Sequence, residues 1–217
     1  MKSWSPDHPK AKLMASKRAD ILAAAKACFL ETGYDGTTME GIAKAANVSI
    51  MTLYRHAESK DDLFSAVISN ACDPNDEAEK AEWEALLKKP LRDVLIWSGM
   101  MAQRRLTDPD TIALMRTVIA EATRFPGLAE MAHKSLVGHL EGMVAYLLGL
   151  KQEASGVSKN HREALAVEFI DRILGTRLLG ILLGLPGPSA KEQRERLEAA
   201  ANDLSAALAT REHPKRA

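Results

Sequence analysis

An all-α fold is what this sequence predicts, and three observations carry the prediction. Of the 217 residues 46% are hydrophobic but only 5% aromatic, and the apolar positions are filled mainly by Ala, Leu and Met with few β-branched runs, a composition that suits helices better than strands. Apolar residues recur at helical spacing, as at Ile21, Ala25, Cys28 and Phe29. Between such stretches stand helix stops and starts: Gly33, Asp73-Pro74, Asp108-Pro109, Pro126-Gly127 and Pro186-Gly187-Pro188.

Residues 1–15 carry Trp4, Pro6 and Pro9 without periodicity and read as a flexible arm. A first helix is expected from Ser16 to Gly33. Lys17 and Arg18 fall in its first turn, where cations oppose the helix dipole and an external phosphate would relieve the conflict; two solvated bases are the plainer alternative. Thr37 and Glu40 have the spacing of a capping box and open a second helix through Ile42, Ala43 and Ala46. Asn47-Val48-Ser49 breaks it, because Asn tolerates a left-handed backbone and Ser49 can accept N–H bonds as the next N-cap.

The third helix, Ile50 to about His56, turns only Leu53 clearly inward. Ile50, Met51, Thr52, Tyr54, Arg55 and His56 are left as a surface of hydroxyl, thioether, aromatic and cationic groups, the chemistry that meets base edges and phosphates. Ser59 with Asp62 caps a further helix, sets Lys60 in its first turn, and leads through Leu63, Phe64, Val67 and Ile68 to Asp73-Pro74. Helix, three-residue turn, short polar helix and capped helix, in that order, form the helix-turn-helix signature.

Beyond it, residues 73–84 are acidic and read as a linker ending near Trp83. Pro90 suits the first turn of a helix to about Arg105, with Leu91, Val94, Leu95, Trp97, Ser98 and Met101 facing inward. Asp108-Pro109 starts another, to Arg124. Phe125-Pro126-Gly127 ends that one and launches a long helix to about Gln152. After a loop over residues 153–160, Glu163 to Leu185 forms an apolar helix, and Ser189 caps a last one to about Ala209. Gly180 and Gly184 put two positions without side chains on one face, as close approach of another helix requires, whether from a second copy or from the same chain. The expected organisation is an arm (1–15), a three-helix helix-turn-helix domain (16–72) and a larger helical domain (73–217).

Several classes are disfavoured. The formal net charge is zero, which argues against binding nucleic acid over the whole surface, but residues 1–60 hold nine Lys or Arg against six Asp or Glu, so the helix-turn-helix end is the basic one. Cys28 and Cys72 make no disulfide framework and no zinc spacing, in keeping with a reducing cytoplasm. The N-terminus lacks the apolar segment of a signal peptide, and the run Leu178–Leu185 is too short to span a membrane, so a soluble protein is expected. No nucleophile elbow, phosphate loop, dinucleotide fingerprint or HExxH occurs, so no catalytic residue, cofactor or metal is expected. His133 and His139 do not share a helical face; His139, between Leu136 and Met143, is read as a core histidine with a ligand contact as the alternative.

With these residues identified, the stretch from Ile21 to about Phe64 resembles the DNA-binding domain of TetR-type transcriptional regulators. Thr37-Thr38, Ile42-Ala43, Ala46, Val48-Ser49, Leu53-Tyr54 and Ser59-Lys60 carry the resemblance. It departs at Asn47, where that family usually has Gly, and at Ala57, where an aromatic residue is usual. A second stretch, Met115–Ala132, resembles an AefR-like branch through Glu121, Arg124, Phe125 and Pro126. The resemblance implies a homodimeric repressor of a palindromic double-stranded operator, released by a small, largely apolar effector. Met51 and Thr52 would then discriminate bases, while Tyr54, His56 and Lys60 grip phosphates; Lys17, Thr37, Thr38, Ser49, Ile50 and Arg55 complete the expected DNA face. An effector pocket would draw on Trp97, Met101, Met115, Ile119, His139, Met143, Phe169 and Arg172, since methionine adapts to varied apolar guests, though the same residues also fill an ordinary core. The dimer would use Leu179, Gly180, Leu183, Gly184, Leu197 and Leu204. The competing class is a helical small-molecule-binding protein or enzyme with a vestigial helix-turn-helix.

Overall fold

The computed structural model describes residues 8–72 and 85–209, and the regular elements among them are all helical. The expected linker over 73–84, with Trp83, and the first seven residues of the expected arm lie outside the described residues.

The first helix, α1 (Pro9–Gly36), starts well before Ser16: His8 caps it by accepting from Lys10 N at 3.1 Å, and Pro9 occupies the first turn, where its missing N–H costs nothing. Residues 9–15 are therefore helix, which corrects the arm. Gly33, at φ 72°, interrupts α1 at the predicted stop. The second helix, α2 (Met39–Ala45), is capped by Thr38, whose Oγ1 accepts from Gly41 N at 3.0 Å. The cap is thus one residue later than the Thr37–Glu40 pair suggests. Thr37 is buried, its Oγ1 2.6 Å from the Gly33 carbonyl and 3.1 Å from that of Cys28, so it satisfies orphan carbonyls near the end of α1. Asn47 takes the left-handed conformation at φ 51°, and Ser49 Oγ accepts from Thr52 N at 3.1 Å to open α3 (Ile50–Tyr54). Ser59 Oγ accepts from Asp62 N at 3.0 Å at the start of α4 (Lys60–Cys72).

There follow α5 (Leu91–Leu106), α6 (Pro109–Glu121) and α7 (Pro126–His133), then a π-helical turn over Lys134–Gly138 that leads into α8 (His139–Gly149). The long helix expected from Pro126 is thus helical without a break as far as Gly149, with one π-helical turn in its middle. Last come α9 (Lys159–Leu182) and α10 (Ala190–Ala209).

The chain divides into two compact units, one of Met1–Ala71 with Ala113–Ser135 and one of Cys72–Ile112 with Leu136–Ala217. The stretch 113–135 thus groups with the N-terminal unit, not with the larger domain expected from residue 73 onward. In the first unit Ile21, Phe29, Ile42, Leu53 and Phe64 are fully buried, and Phe29 meets Phe64 edge to face at 4.7 Å. In the second, α9 packs on α8 and α10, and α10 and α8 pack on α5. A Cβ at Gly99 of α5 would collide with the Leu197 side chain of α10, so the close approach of these helices depends on that glycine. Helix α9 is broken at Gly175, whose φ of 54° and ψ of −162° belong to a region open essentially to glycine alone. Beside the break, Gln103 donates from Nε2 to the Ile173 carbonyl at 3.4 Å. Gly184, at φ 90°, does not lie within α9 but ends it: Leu185 N bonds to Gly180 O at 2.9 Å and Gly184 N to Ile181 O at 3.0 Å, the paired bonds of a Schellman motif.

Candidate nucleic-acid interface

Leu53, fully buried, fixes the rotation of α3, and the neighbouring positions consequently face solvent. Met51 is 67% and Tyr54 46% exposed, and Arg55 is exposed beside them. Thr52 is half-buried, its hydroxyl 2.8 Å from that of Ser49, so the cap and the candidate base-reading side chain are tied together. At the far end of α3, Arg18 donates from Nη1 to the His56 carbonyl at 3.5 Å. Burial, then Arg18 and Lys17, hold the His56 imidazole below its ordinary value of 6.5, so it stands neutral beside two permanent cations at pH 7. Lys17 is exposed, as expected, but sits in the third turn of α1; the dipole argument for it does not apply, and its proximity to His56 places it here instead.

Two expected DNA contacts are corrected. Thr37 is 3% exposed and engaged with carbonyls of α1, so its hydroxyl is not available to a phosphate. Lys60 is half-buried: its ammonium donates to the carbonyls of Tyr34 at 2.8 Å and Thr37 at 3.1 Å and lies 4.4 Å over the Tyr34 ring. This cation closes the end of α1. Thr38 and Ser49 are exposed and Ile50 half-buried, at the N-termini of α2 and α3, where free N–H groups favour anions.

Sequence reasoning missed an aromatic cluster in the same unit. Tyr34 is buried, donates its O–H to Asp61, stacks with Phe29, and meets Phe64 and Phe125 edge to face. Burial foremost, and then that bond, push the Tyr34 hydroxyl well above the usual phenol range. Arg124 pairs with Asp35 at 2.7 Å. The stretch from Glu121 to Pro126 is thereby attached to the end of α1, and no regular spacing of Phe29, Tyr34, Phe64 and Phe125 signals the cluster in the sequence.

Residues 21–67 match the model of bacterial regulatory proteins of the tetR family, and residues 93–207, just over half of the chain, match the C-terminal domain of AefR-like transcriptional repressors. The chain belongs to the TetR family. An uncharacterized HTH-type transcriptional regulator of Mycobacterium tuberculosis is 25% identical over 177 residues, covering 79% of this chain and 74% of its own. Among solved structures, a TetR-family regulator from Mesorhizobium loti superposes with a TM-score of 0.66 at 23% identity, covering 89% of this chain and 97% of its own. The Flavonoid-responsive Regulator FrrA does so with a TM-score of 0.62 at 27% identity and the same coverages. As a TetR-family transcriptional regulator, the chain presents α2, the Asn47 turn and α3 as its DNA-binding helix-turn-helix.

The residues expected around a TetR effector differ in their surroundings. Trp97 and Met143 pack together against Leu86, Val94 and Leu147. Phe169 is buried in the core of the second unit; His139 is exposed, which corrects the core reading, and Ile119 is 59% exposed. Arg172, expected in the pocket, is exposed and pairs with Asp203 and, at 3.6 Å, with Glu168. Met101 and Met115 are half-buried, and Met115 and Ile119 belong to the first unit whereas the other six belong to the second. Of the residues expected at a dimer interface, Leu179 and Leu183 are 59% and 73% exposed, but Leu197 and Leu204 are buried inside their own chain and have no surface to offer a second copy. Among the described residues no group of three or more His, Cys, Asp or Glu is placed to hold a metal, and no helix is long and apolar enough to cross a membrane.

Proposed function

We propose that this TetR-family regulator is a cytoplasmic repressor that binds a palindromic operator as a homodimer and is released by a small, largely apolar effector. The observation that carries the reading is α3 itself: Leu53 buried, Met51, Tyr54 and Arg55 exposed, and Lys17, Arg18 and His56 gathered at its end. An exposed helix with a readable face and a cationic flank is what major-groove recognition requires. Dimerisation is supported by Leu179, Leu183 and Leu185, exposed at 59%, 73% and 61% around the end of α9, an apolar patch that a second copy would cover. The similarity to the Flavonoid-responsive Regulator FrrA supports an aromatic effector.

Gel retardation with palindromic DNA from the upstream region of its own gene tests the reading. Retardation should require two half-sites about 34 to 36 Å apart or a multiple of that, and Tyr54→Ala should abolish it. Equal retardation of the Tyr54→Ala protein would remove α3 from the interface. Leu183→Glu should yield a monomer in sedimentation, with the operator complex lost alongside.

A further inference from the structure

Near the break in α9 lies a small cavity of about 40 Å³, open to solvent at its mouth, between the end of α5, the second half of α9 and the start of α10. Its walls are apolar, with Ile173, Leu178, Ile181 and Pro188, and its polar lining includes Gln103, Arg177, Glu192 and Arg196. Gln103 is only 8% exposed. Glu192 is already committed: it accepts from Ser189 N at 2.8 Å and from Ser189 Oγ at 2.9 Å at the start of α10, and it lies 3.5 Å from Arg177. Arg196, four residues further along α10, is half-buried, and among the described residues no carboxylate lies within ion-pairing distance of it. Its guanidinium rests against the bare Cα of Gly175, where a Cβ would stand 2.7 Å from Nη1. The glycine that breaks α9 is thus also the residue that makes room for this cation.

Two guanidinium groups face one carboxylate, which leaves the cavity one positive charge in excess against apolar walls. A half-buried cation in that setting is stabilised by an anion, and a planar fork of N–H donors fits a carboxylate best. We propose that this cavity binds a small amphiphilic carboxylate, its head held by Arg196 and Arg177 and its apolar body against Ile173, Leu178 and Ile181. The site stands on geometry alone; only its consequence, that such a ligand shifts operator affinity, rests on the effector-responsive reading above.

The test is calorimetric titration of the full chain with octanoate, with 1-octanol and inorganic phosphate as companion probes. Octanoate should bind saturably at about 1 mM or below, and at least about tenfold more tightly than either companion. Arg196→Met, which keeps the stem, should weaken octanoate at least about tenfold, as expected for loss of a charge-assisted contact. Arg177→Met is an independent second variant with the same expected direction. Absence of saturable octanoate binding, equal binding of 1-octanol or phosphate, or unchanged octanoate affinity in both variants would overturn the site. Operator retardation by the same protein is read separately, so octanoate failing while retardation persists sinks this site alone, and octanoate binding without retardation sinks the DNA reading alone.

Discussion

Arg124 sets Nη1 2.7 Å from Oδ2 of Asp35, joining residues 89 positions apart, and Phe125 places its ring 5.2 Å from that of Tyr34 at 68°. The ion pair is 64% and 46% exposed on its two sides, so solvent screens it heavily, whereas the ring contact is at least half withdrawn from water. Arg124→Ala should therefore cost no more than about 1 kcal/mol of stability. Phe125→Ala should cost about 1 to 3 kcal/mol. Urea titration of both variants decides, and a larger loss for Arg124→Ala would show that the charge, not the ring, makes the attachment.

Lys60 separates folding from DNA binding. Removing its ammonium leaves the Tyr34 and Thr37 carbonyls short of a donor, so Lys60→Ala should lose about 1 to 3 kcal/mol of stability. The salt dependence of operator binding should stay as it is, whereas Arg55→Ala should reduce that slope by about one. Retardation measured across a salt series distinguishes the two variants, and a flattened slope for Lys60→Ala would return this residue to the phosphate backbone.

Met51, exposed, and Thr52, half-buried beside it, are the side chains proposed to read bases. Met51→Ala and Thr52→Ala should each alter discrimination at one operator base pair by about 1 to 3 kcal/mol while leaving affinity for unrelated DNA unchanged. Competition against a set of single-base operator variants measures this. A uniform loss over all sequences would mean that these side chains only position the helix.

His56 predicts opposite pH trends for stability and for binding. Its folded-state pKa is depressed, so below 6.5 the unfolded chain takes up a proton that the fold resists: this contribution to stability is intact above 6.5 and is lost as the pH falls toward the folded value. A phosphate brought beside the ring favours the charged form, so operator binding takes up a proton, and affinity should rise as the pH is lowered from about 8 to 6. His56→Gln should flatten both curves. Fluorescence anisotropy at a series of pH values checks the binding trend, and a pH response unchanged in His56→Gln would assign it to another group.

The sequence by itself determined what depends on near neighbours. Gly33 interrupts α1, Asn47 takes the left-handed turn, and Ser49 and Ser59 cap their helices, because a cap or a turn is decided by backbone groups within three or four residues. The all-α class and the outward face of α3 follow from composition and periodicity in the same local way. Only the tertiary structure decided between side chains with equal local claims. Thr37 and Thr38 are both able to cap, and the carbonyls at the end of α1 took Thr37. Lys60 looked like a phosphate contact until Tyr34 and Thr37, 26 and 23 residues earlier, supplied its acceptors. Leu197 and Leu204 lie on an apolar face that burial in one chain and burial between two chains would produce alike, since the hydrophobic effect has no direction. Gly184 ends α9 through bonds within five residues, but the break at Gly175 belongs to longer-range packing. Gln103 lies 70 residues before the carbonyl it meets beside the break, and Arg196 comes to lie against Gly175 only when α10 packs on α9.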